Sequence, residues 1–340
     1  MTAHADIDIS ENALLRDEPS VLRRLLKDHT TSRSVDGREV EYHAVIWATD
    51  DYAALGEGYS FYDEIRPELI TGEGRDRVIR PRVLKERLRQ EARSKGMAEV
   101  FTPAWVCNEQ NNLVDEAWFG RPGVFNSPSP ADPHDWIPTA APVTDFPEGK
   151  TWRDYVRSTR LEVACGEAPY ITSRYDATTG EPIPLTRRVG LLDRKLRLVS
   201  ENCHTSGEWL EAAREAYQST YAFEWQGDNL LLAREALYYT YLEAYEAKFG
   251  SRPPLRSRES IAYIISWNVW QMDGLRCVVP GSCQRPQGTG DLFGGGGAAA
   301  AECPGCKAGK RDGHTGISCI IKDWKRNEKR PFIQLLTLGR

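Results

Sequence analysis

From Trp152 onward the chain alternates short apolar strand signals with helix signals, and that alternation narrows the folds open to it more than any other feature. Leu161-Glu162-Val163-Ala164 reads as a short strand, and Val189 to Leu192 as a second candidate. Thr205-Ser206-Gly207-Glu208 has the spacing of a capping box and predicts a helix through Tyr221. The run Tyr221 to Asp228 reads as a strand ending at an acid. A long amphipathic helix follows, with Leu231, Ala233, Leu237, Tyr241, Leu242 and Tyr245 on its apolar side. Ile261 to Val269 is a further strand candidate, ending near Asp273. Alternation of this kind predicts a mostly parallel sheet covered on both faces.

Upstream, Ser20 to Lys27 predicts a short helix and Glu41 to Trp47 a strand. Pro81 stands where a helix can begin, Val83, Leu84, Leu88 and Ala92 give it a stripe, and Gly96 is placed to end it. Ala104 to Phe119 resumes helical character, with Pro103 at its start. Residues 121–150 carry seven Pro and read as a long loop, and residues 285–301 are low complexity. The organisation expected is an N-terminal α+β extension with a basic helix over 1–98, a cofactor domain over 99–276, and a Cys-rich insertion with the final strands over 277–340.

Forty per cent hydrophobic and 27 per cent charged residues describe a globular chain with a real core. No apolar run is long enough to span a membrane, and Met1 to Asp6 lack a basic flank and apolar core, so a cytoplasmic protein with no membrane partner is expected. A net charge of −5 argues against a globally basic nucleic-acid binder. Residues 75–95, however, hold nine Arg or Lys against three acids, a local excess suited to phosphate contacts or to a solvated helix face.

In an open parallel sheet, ligands bind beyond the C-terminal strand ends. A Gly after the first strand lets backbone approach the ligand, and a carboxylate at the end of the second accepts the hydrogen bonds of a ribose diol. Gly166 and Asp228 fit those roles by order, and Asp273, after the next strand, fits contact with an adenine amino group.

Eight Cys in a cytoplasmic chain read first as thiols or metal ligands. Cys303-Pro304-Gly305-Cys306 is a tight knuckle, with Cys319 13 residues on and Cys283 twenty before. A two-residue gap lets both thiolates face one ion, and Cys283, Cys303, Cys306 and Cys319 are the expected ligands of a structural zinc, with Cys277 or His314 as substitutes for one of them. No helix clearly starts at the pair, which disfavours a redox role.

The string Glu99-Val100-Phe101-Thr102-Pro103-Ala104-Trp105-Val106 resembles the cofactor-site opening of adenine-N6 DNA methyltransferases. Leu161 to Ile171 is similar to their strand-and-Gly motif, with Ala168-Pro169 in place of the usual second Gly. Gln226 to Arg234 resembles their ribose-binding segment, and Asn268 to Leu275 their adenine-contacting strand end. Ile46 to Tyr52 and Arg174 to Glu181 look like a narrower group, the short restriction endonuclease subunit M type. The likeness covers roughly residues 40–330.

The resemblance implies an α/β, Rossmann-like S-adenosylmethionine-dependent methyltransferase sheet with a small zinc-knuckle-like insertion. It implies S-adenosyl-L-methionine held by Phe101, Thr102, Pro103, Ala164, Cys165, Gly166, Glu167, Asp228 and Asp273. Double-stranded DNA is the implied partner, alongside a nuclease or specificity subunit. One departure matters. The family grips its flipped base with an Asn- or Asp-Pro-Pro-aromatic motif, and neither form occurs here; the one Pro-Pro, Pro253-Pro254, reads as an interhelical loop. By order Ile320 to Trp324 takes the motif's place, with Asp323 to accept from the amine and Trp324 to stack, and the stretch to Arg340 leaves no room for the family's last strands. Adenine-specific DNA methylation, as the modification subunit of a restriction-modification system, is the leading expectation. A catalytically silent methyltransferase-like module binding DNA or a partner is the alternative.

Overall fold

The structure, a computed structural model, describes residues 7–36, 38–75, 77–85, 101–284 and 302–337. The expected basic helix beyond Lys85 and the 285–301 segment lie outside the described residues.

Two short helices open the chain, α1 (Glu11–Asp17) and α2 (Pro19–Leu26), followed by an exposed hairpin of β1 (Arg33–Val35) and β2 (Arg38–Glu41) and a short helix α3 (Pro67–Ile70). The strand expected at Glu41 to Trp47 is mostly extended backbone with isolated bridges at Ala44 and Ile46. Pro81 is followed by a single 3-10 turn over Arg82–Leu84. Then come α4 (Ala104–Phe119), a small hairpin of β3 (Asn126–Pro128) and β4 (Trp136–Pro138) within the Pro-rich stretch, and α5 (Trp152–Val156).

The remaining described elements build the sheet that positions the site. They are β5 (Arg160–Val163), α6 (Leu191–Asn202), α7 (Ser206–Gln218), β6 (Thr220–Glu224), α8 (Gly227–Phe249), α9 (Leu255–Asn268) and β7 (Val269–Gln271). A one-turn helix α10 (Pro304–Ala308), a hairpin of β8 (Ile320–Asp323) and β9 (Glu328–Pro331), and α11 (Phe332–Thr337) complete them. Strands β5, β6 and β7 form a three-stranded parallel sheet in that spatial order, with Val163 opposite Phe223 and Glu224 opposite Gln271. The helix pairs α6–α7 and α8–α9 make the crossovers that parallel pairing demands.

One sheet face, at Ala222 and Val269, joins a large core with α2, α7, α8 and α9. The other, at Phe223 and Trp270, packs on Ile321 and Phe332 from the C-terminal hairpin and helix. Both faces are thus covered, one by helices and one by β8, β9 and α11.

Two expected strands are helical. Ile261 to Asn268 is the buried end of α9, which starts after Pro254, and strand begins only at Val269. A short apolar run has no period to tell a buried helix from a buried strand. Val189 to Leu192 is the entry to α6, with Gly190 at its N-cap. The capping box is present: Thr205 Oγ1 accepts from Glu208 N at 3.3 Å, and Glu208 Oε2 accepts from Thr205 N at 3.1 Å.

Helix α8 is buried on nearly every side. Its Arg234, 1% exposed, donates to the carbonyls of Leu25, Lys27 (3.0 Å), Ser266 (3.2 Å) and Val269 (2.8 Å), the C-terminal ends of α2 and α9. A buried guanidinium is tolerated here because helix C-termini offer it unpaired carbonyls at the negative end of the dipole. Gly227 opens α8 because the extended 46–47 segment lies across it. Gly227 N donates to Trp47 O at 3.0 Å, and a Cβ there would stand 2.1 Å from Ile46 O. Gly227→Ala is expected to cost about 3 kcal/mol or more through this overlap, read as a fall in the urea midpoint at unchanged slope. A midpoint within error of wild type would refute the packing argument.

Among the described residues no helix is long and apolar enough to cross a membrane.

Candidate cofactor pocket and metal centre

A cavity of about 950 Å³ opens at the C-terminal ends of β5 and β6. Beyond β5 the backbone turns sharply, with positive φ at Ala164 (50°), Gly166 (55°) and Ala168 (60°). Cys165 N extends the parallel ladder to Phe223 O at 2.9 Å. Gly166 N then donates to Glu224 Oε2 at 2.8 Å, so the loop after the first strand is bonded to the acid that ends the second. Glu224 Oε1 accepts from Gln226 N at 3.2 Å. Burial pushes the Glu224 carboxyl up, against the pull of the amides it accepts from.

Phe101 and Thr102 form another wall, just before α4. The segment is fixed by Asp176, whose Oδ2 accepts from Ala104 N at 2.7 Å while Oδ1 closes its own turn onto Thr178 N and Thr179 N. The string Arg174 to Glu181 therefore caps α4 and sets the position of Phe101-Thr102. On the helix side of β5, Glu162 also lines the cavity. Its Oε1 accepts from Tyr170 N at 3.4 Å, its Oε2 is buried without a hydrogen-bond partner among the described residues, and burial raises its pKa to about 8.

Of the residues singled out from sequence, Phe101, Thr102, Ala164, Cys165 and Gly166 come together around this cavity. Pro103 stands just outside it as the N-cap of α4. Glu167 is turned into the protein, accepting from Arg82 N at 2.6 Å and from the Tyr175 hydroxyl. Asp228 does not line the cavity: it is fully buried in the first turn of α8, bonded to Tyr52 OH (2.8 Å) and Lys85 Nζ (3.0 Å). The strand stops at Glu224, four residues short of it, and Glu224 occupies the strand-end position assigned to Asp228. Asp273 closes its own turn, with Oδ1 on Leu275 N (3.0 Å) and Oδ2 on Arg276 Nη1 (3.1 Å), and stands outside the cavity.

Asp323 and Trp324 are not brought to this pocket. They border a smaller cavity with Thr159, Gln218 and Ser219, residues that precede β5 and β6, and so lie at the opposite end of the sheet. Asp323 Oδ1 caps the turn at Lys325 N and Arg326 N (both 3.0 Å), and Trp324 Nε1 donates to Asn268 Oδ1 at 2.7 Å. Both side chains serve the β8–β9 turn and its seat on α9.

The second cluster is Cys283, Cys303, Cys306 and His314, whose ligand atoms all lie within 4.8 Å of one another. The three sulfurs stand 3.6, 3.5 and 3.5 Å from His314 Nδ1. His314 Nε2 faces Lys310 O at 2.9 Å, which leaves Nδ1 as the ligand nitrogen and holds the ring in place. Hydrogen bonding from the Thr315 side chain, helped by its N–H to Sγ at 3.3 Å, pulls the Cys303 thiol down to about 5. Three thiols and one imidazole converging on a common centre fit a tetrahedral zinc. Glycines make the room: a Cβ on Gly305 would lie 2.8 Å from His314 Nδ1, and one on Gly316 2.8 Å from Cys283 Sγ.

Cys319 is not part of this cluster. It is buried in the second core with its Sγ 3.3 Å from Gln271 O, and His314 takes the fourth place. A one-turn helix does begin at Cys303, contrary to the sequence reading, but its two thiols face Cys283 and His314.

Sequence reasoning passed over Glu162, Glu224, Trp225 and Asn229, which also line the larger cavity. The signal for Glu224 was present, since it is the last residue of the apolar run Tyr221-Ala222-Phe223.

No protein-family model, curated protein or solved structure matches the chain.

Proposed function

We propose that the cavity at the β5 and β6 strand ends binds S-adenosylmethionine, and that the chain belongs to a system modifying adenine in DNA. The observation that carries this reading is the Gly166–Glu224 junction, with the Phe101-Thr102 wall beside it. A strand-end carboxylate already oriented by the backbone amides of Gly166 and Gln226, one on each oxygen, has lone pairs left for a ribose diol. Glu162 adds a second argument. Its buried, unpartnered Oε2 would be satisfied by a cationic group, and S-adenosylmethionine carries both an ammonium and a sulfonium. When bound, the cofactor supplies an electrophilic methyl group. The chain's part is to bind it, hold the ribose edge at Glu224 and exclude water with Phe101 and Tyr170.

A second reading, a module that binds the cofactor or DNA without transferring methyl, draws on the position of Asp323 and Trp324 at the far end of the sheet.

Calorimetric titration with S-adenosylmethionine tests the site. Wild type is expected to bind, and Glu224→Gln to bind at least tenfold more weakly, the loss of a charge-assisted pair of roughly 1.5–3 kcal/mol. Asp228→Asn is expected to act on stability instead, since that carboxylate is committed to Tyr52 and Lys85. Absence of binding at millimolar cofactor would sink the pocket assignment. Binding without methyl incorporation into any unmodified DNA would leave the second reading.

A further inference from the structure

A separate cavity of about 600 Å³ runs between α6 and α8, closed on its third side by the β3–β4 hairpin. It shares no lining residue with the strand-end pocket. Its walls are largely apolar, from Phe125, Trp136, Leu196 and Ala244, and its two ends differ in chemistry.

The inner end carries Asp193 and Thr240. Asp193 is 7% exposed, and its Oδ2 is fully used by Ser173 N (2.8 Å), Ser173 Oγ (3.1 Å) and Gly190 N (3.1 Å). Its Oδ1, and the hydroxyl of the fully buried Thr240, have no hydrogen-bond partner among the described residues. Buried acceptors left unmade cost roughly 1–3 kcal/mol each, so they mark an end that favours a ligand donor.

The outer end carries Lys248, Arg197 and Glu201. Arg197 is committed to Glu201 Oε1 (2.7 Å) and to the carbonyls of Phe125, Thr139 and Ala141, which leaves Lys248 as the cation for an anion. Lys248 is exposed, and its Nζ has one hydrogen bond among the described residues, to Ser200 O at 2.7 Å, with no carboxylate partner. Asp193 and Ser200 are seven residues apart on α6, so the two ends are separated by about 10 Å.

We infer that this groove binds a mononucleotide, its base amine toward Asp193 and Thr240 and its phosphate at Lys248. An apolar-walled slot of this volume suits a heteroaromatic ring and its sugar. An aliphatic anion would meet the cation but would seal the two acceptors under hydrocarbon. The span of about 10 Å between the ends matches a base edge and its 5′-phosphate on that scale.

The test titrates the full chain with AMP, adenosine and ribose 5-phosphate, each with and without excess S-adenosylmethionine. AMP is expected to bind whether or not S-adenosylmethionine is present. Adenosine, lacking the phosphate, and ribose 5-phosphate, lacking the base, are each expected to bind roughly tenfold more weakly or worse. Ala244→Phe, which fills the slot, is expected to abolish AMP binding. The near-isosteric Thr240→Val and the exposed Lys248→Glu are expected to weaken it roughly three- to tenfold. Thr240→Val should have a thermal midpoint at or above wild type because the unmade hydroxyl is gone, and Lys248→Glu a midpoint near wild type. The proposal is overturned by no AMP binding at millimolar concentration, by ribose 5-phosphate or adenosine matching AMP, by displacement with S-adenosylmethionine, or by unchanged affinity in Thr240→Val and Lys248→Glu. These outcomes do not depend on whether the strand-end pocket holds its own ligand.

Discussion

Cys303→Ser, Cys306→Ser and His314→Ala are each expected to release a zinc ion that wild type retains through purification, whereas Cys319→Ser is expected to keep it. The contrast follows from geometry. Cys283, Cys303, Cys306 and His314 share one centre, while Cys319 is turned into the second core against Gln271. Structural zinc in small modules supplies on the order of 10 kcal/mol, and few apolar contacts are there to replace it. The covering layer on Phe223 and Trp270 is one small cluster, reached through the bonds Val279 N to Ile317 O (2.9 Å) and Cys319 N to Cys277 O (3.0 Å). Metal loss should therefore free residues 302–318 first and then loosen β8 and β9, leaving the helices of the large core folded. Limited proteolysis after chelation is expected to cut within 302–318 before any site in α6 to α9. Zinc retained by Cys303→Ser, or absent from wild type grown in zinc, would refute the centre.

How far this arrangement was legible from sequence depended on whether the signal was local. The capping box at Thr205 and Glu208 and the helix after Pro103 are set by neighbours three or four residues away, and they stand where expected. The alternation that implied a parallel sheet is likewise local in each unit, and three parallel strands are present. The errors came where partners are distant. Ile261 to Asn268 is a helix because α2, α7 and α8 enclose it, and burial on all sides erases the period that would have revealed it. Asp228 drew attention as the acid behind an apolar run, but Tyr52, 176 residues away, claims it. Trp324 is taken by Asn268 in the same manner. Among the cysteines, a spacing rule found the Cys303–Cys306 knuckle. It took Cys319 where His314 stands, because the fourth ligand depends on how the chain returns to pair Ser318 with Val278.

The largest stability effect away from the metal is expected at Arg194. This residue is 1% exposed on α6 and forms an ion pair with Asp115 of α4. Its second amine donates to Asn108 Oδ1 (2.8 Å) and Asn112 Oδ1 (2.9 Å), and Asp115 Oδ1 accepts from Tyr155 OH at 2.6 Å. Asn108 in turn exchanges two hydrogen bonds with Asn126. One buried network therefore ties α4, α5, α6 and β3. Arg194→Leu would leave Asp115 buried without its counter-charge, at a cost of roughly 3–5 kcal/mol. Replacing both partners, in Arg194→Leu with Asp115→Leu, is expected to recover part of that loss, because the isolated charge and not the missing attraction sets the penalty. The consequence reaches the strand-end pocket, since α4 begins directly after Phe101-Thr102 and is held against α6 by this network. Denaturant titration of the single and double variants measures the cycle. A loss below about 1 kcal/mol in Arg194→Leu, or a double variant less stable than wild type by the sum of the Arg194→Leu and Asp115→Leu costs, would show that the network does not bear on stability as its burial requires.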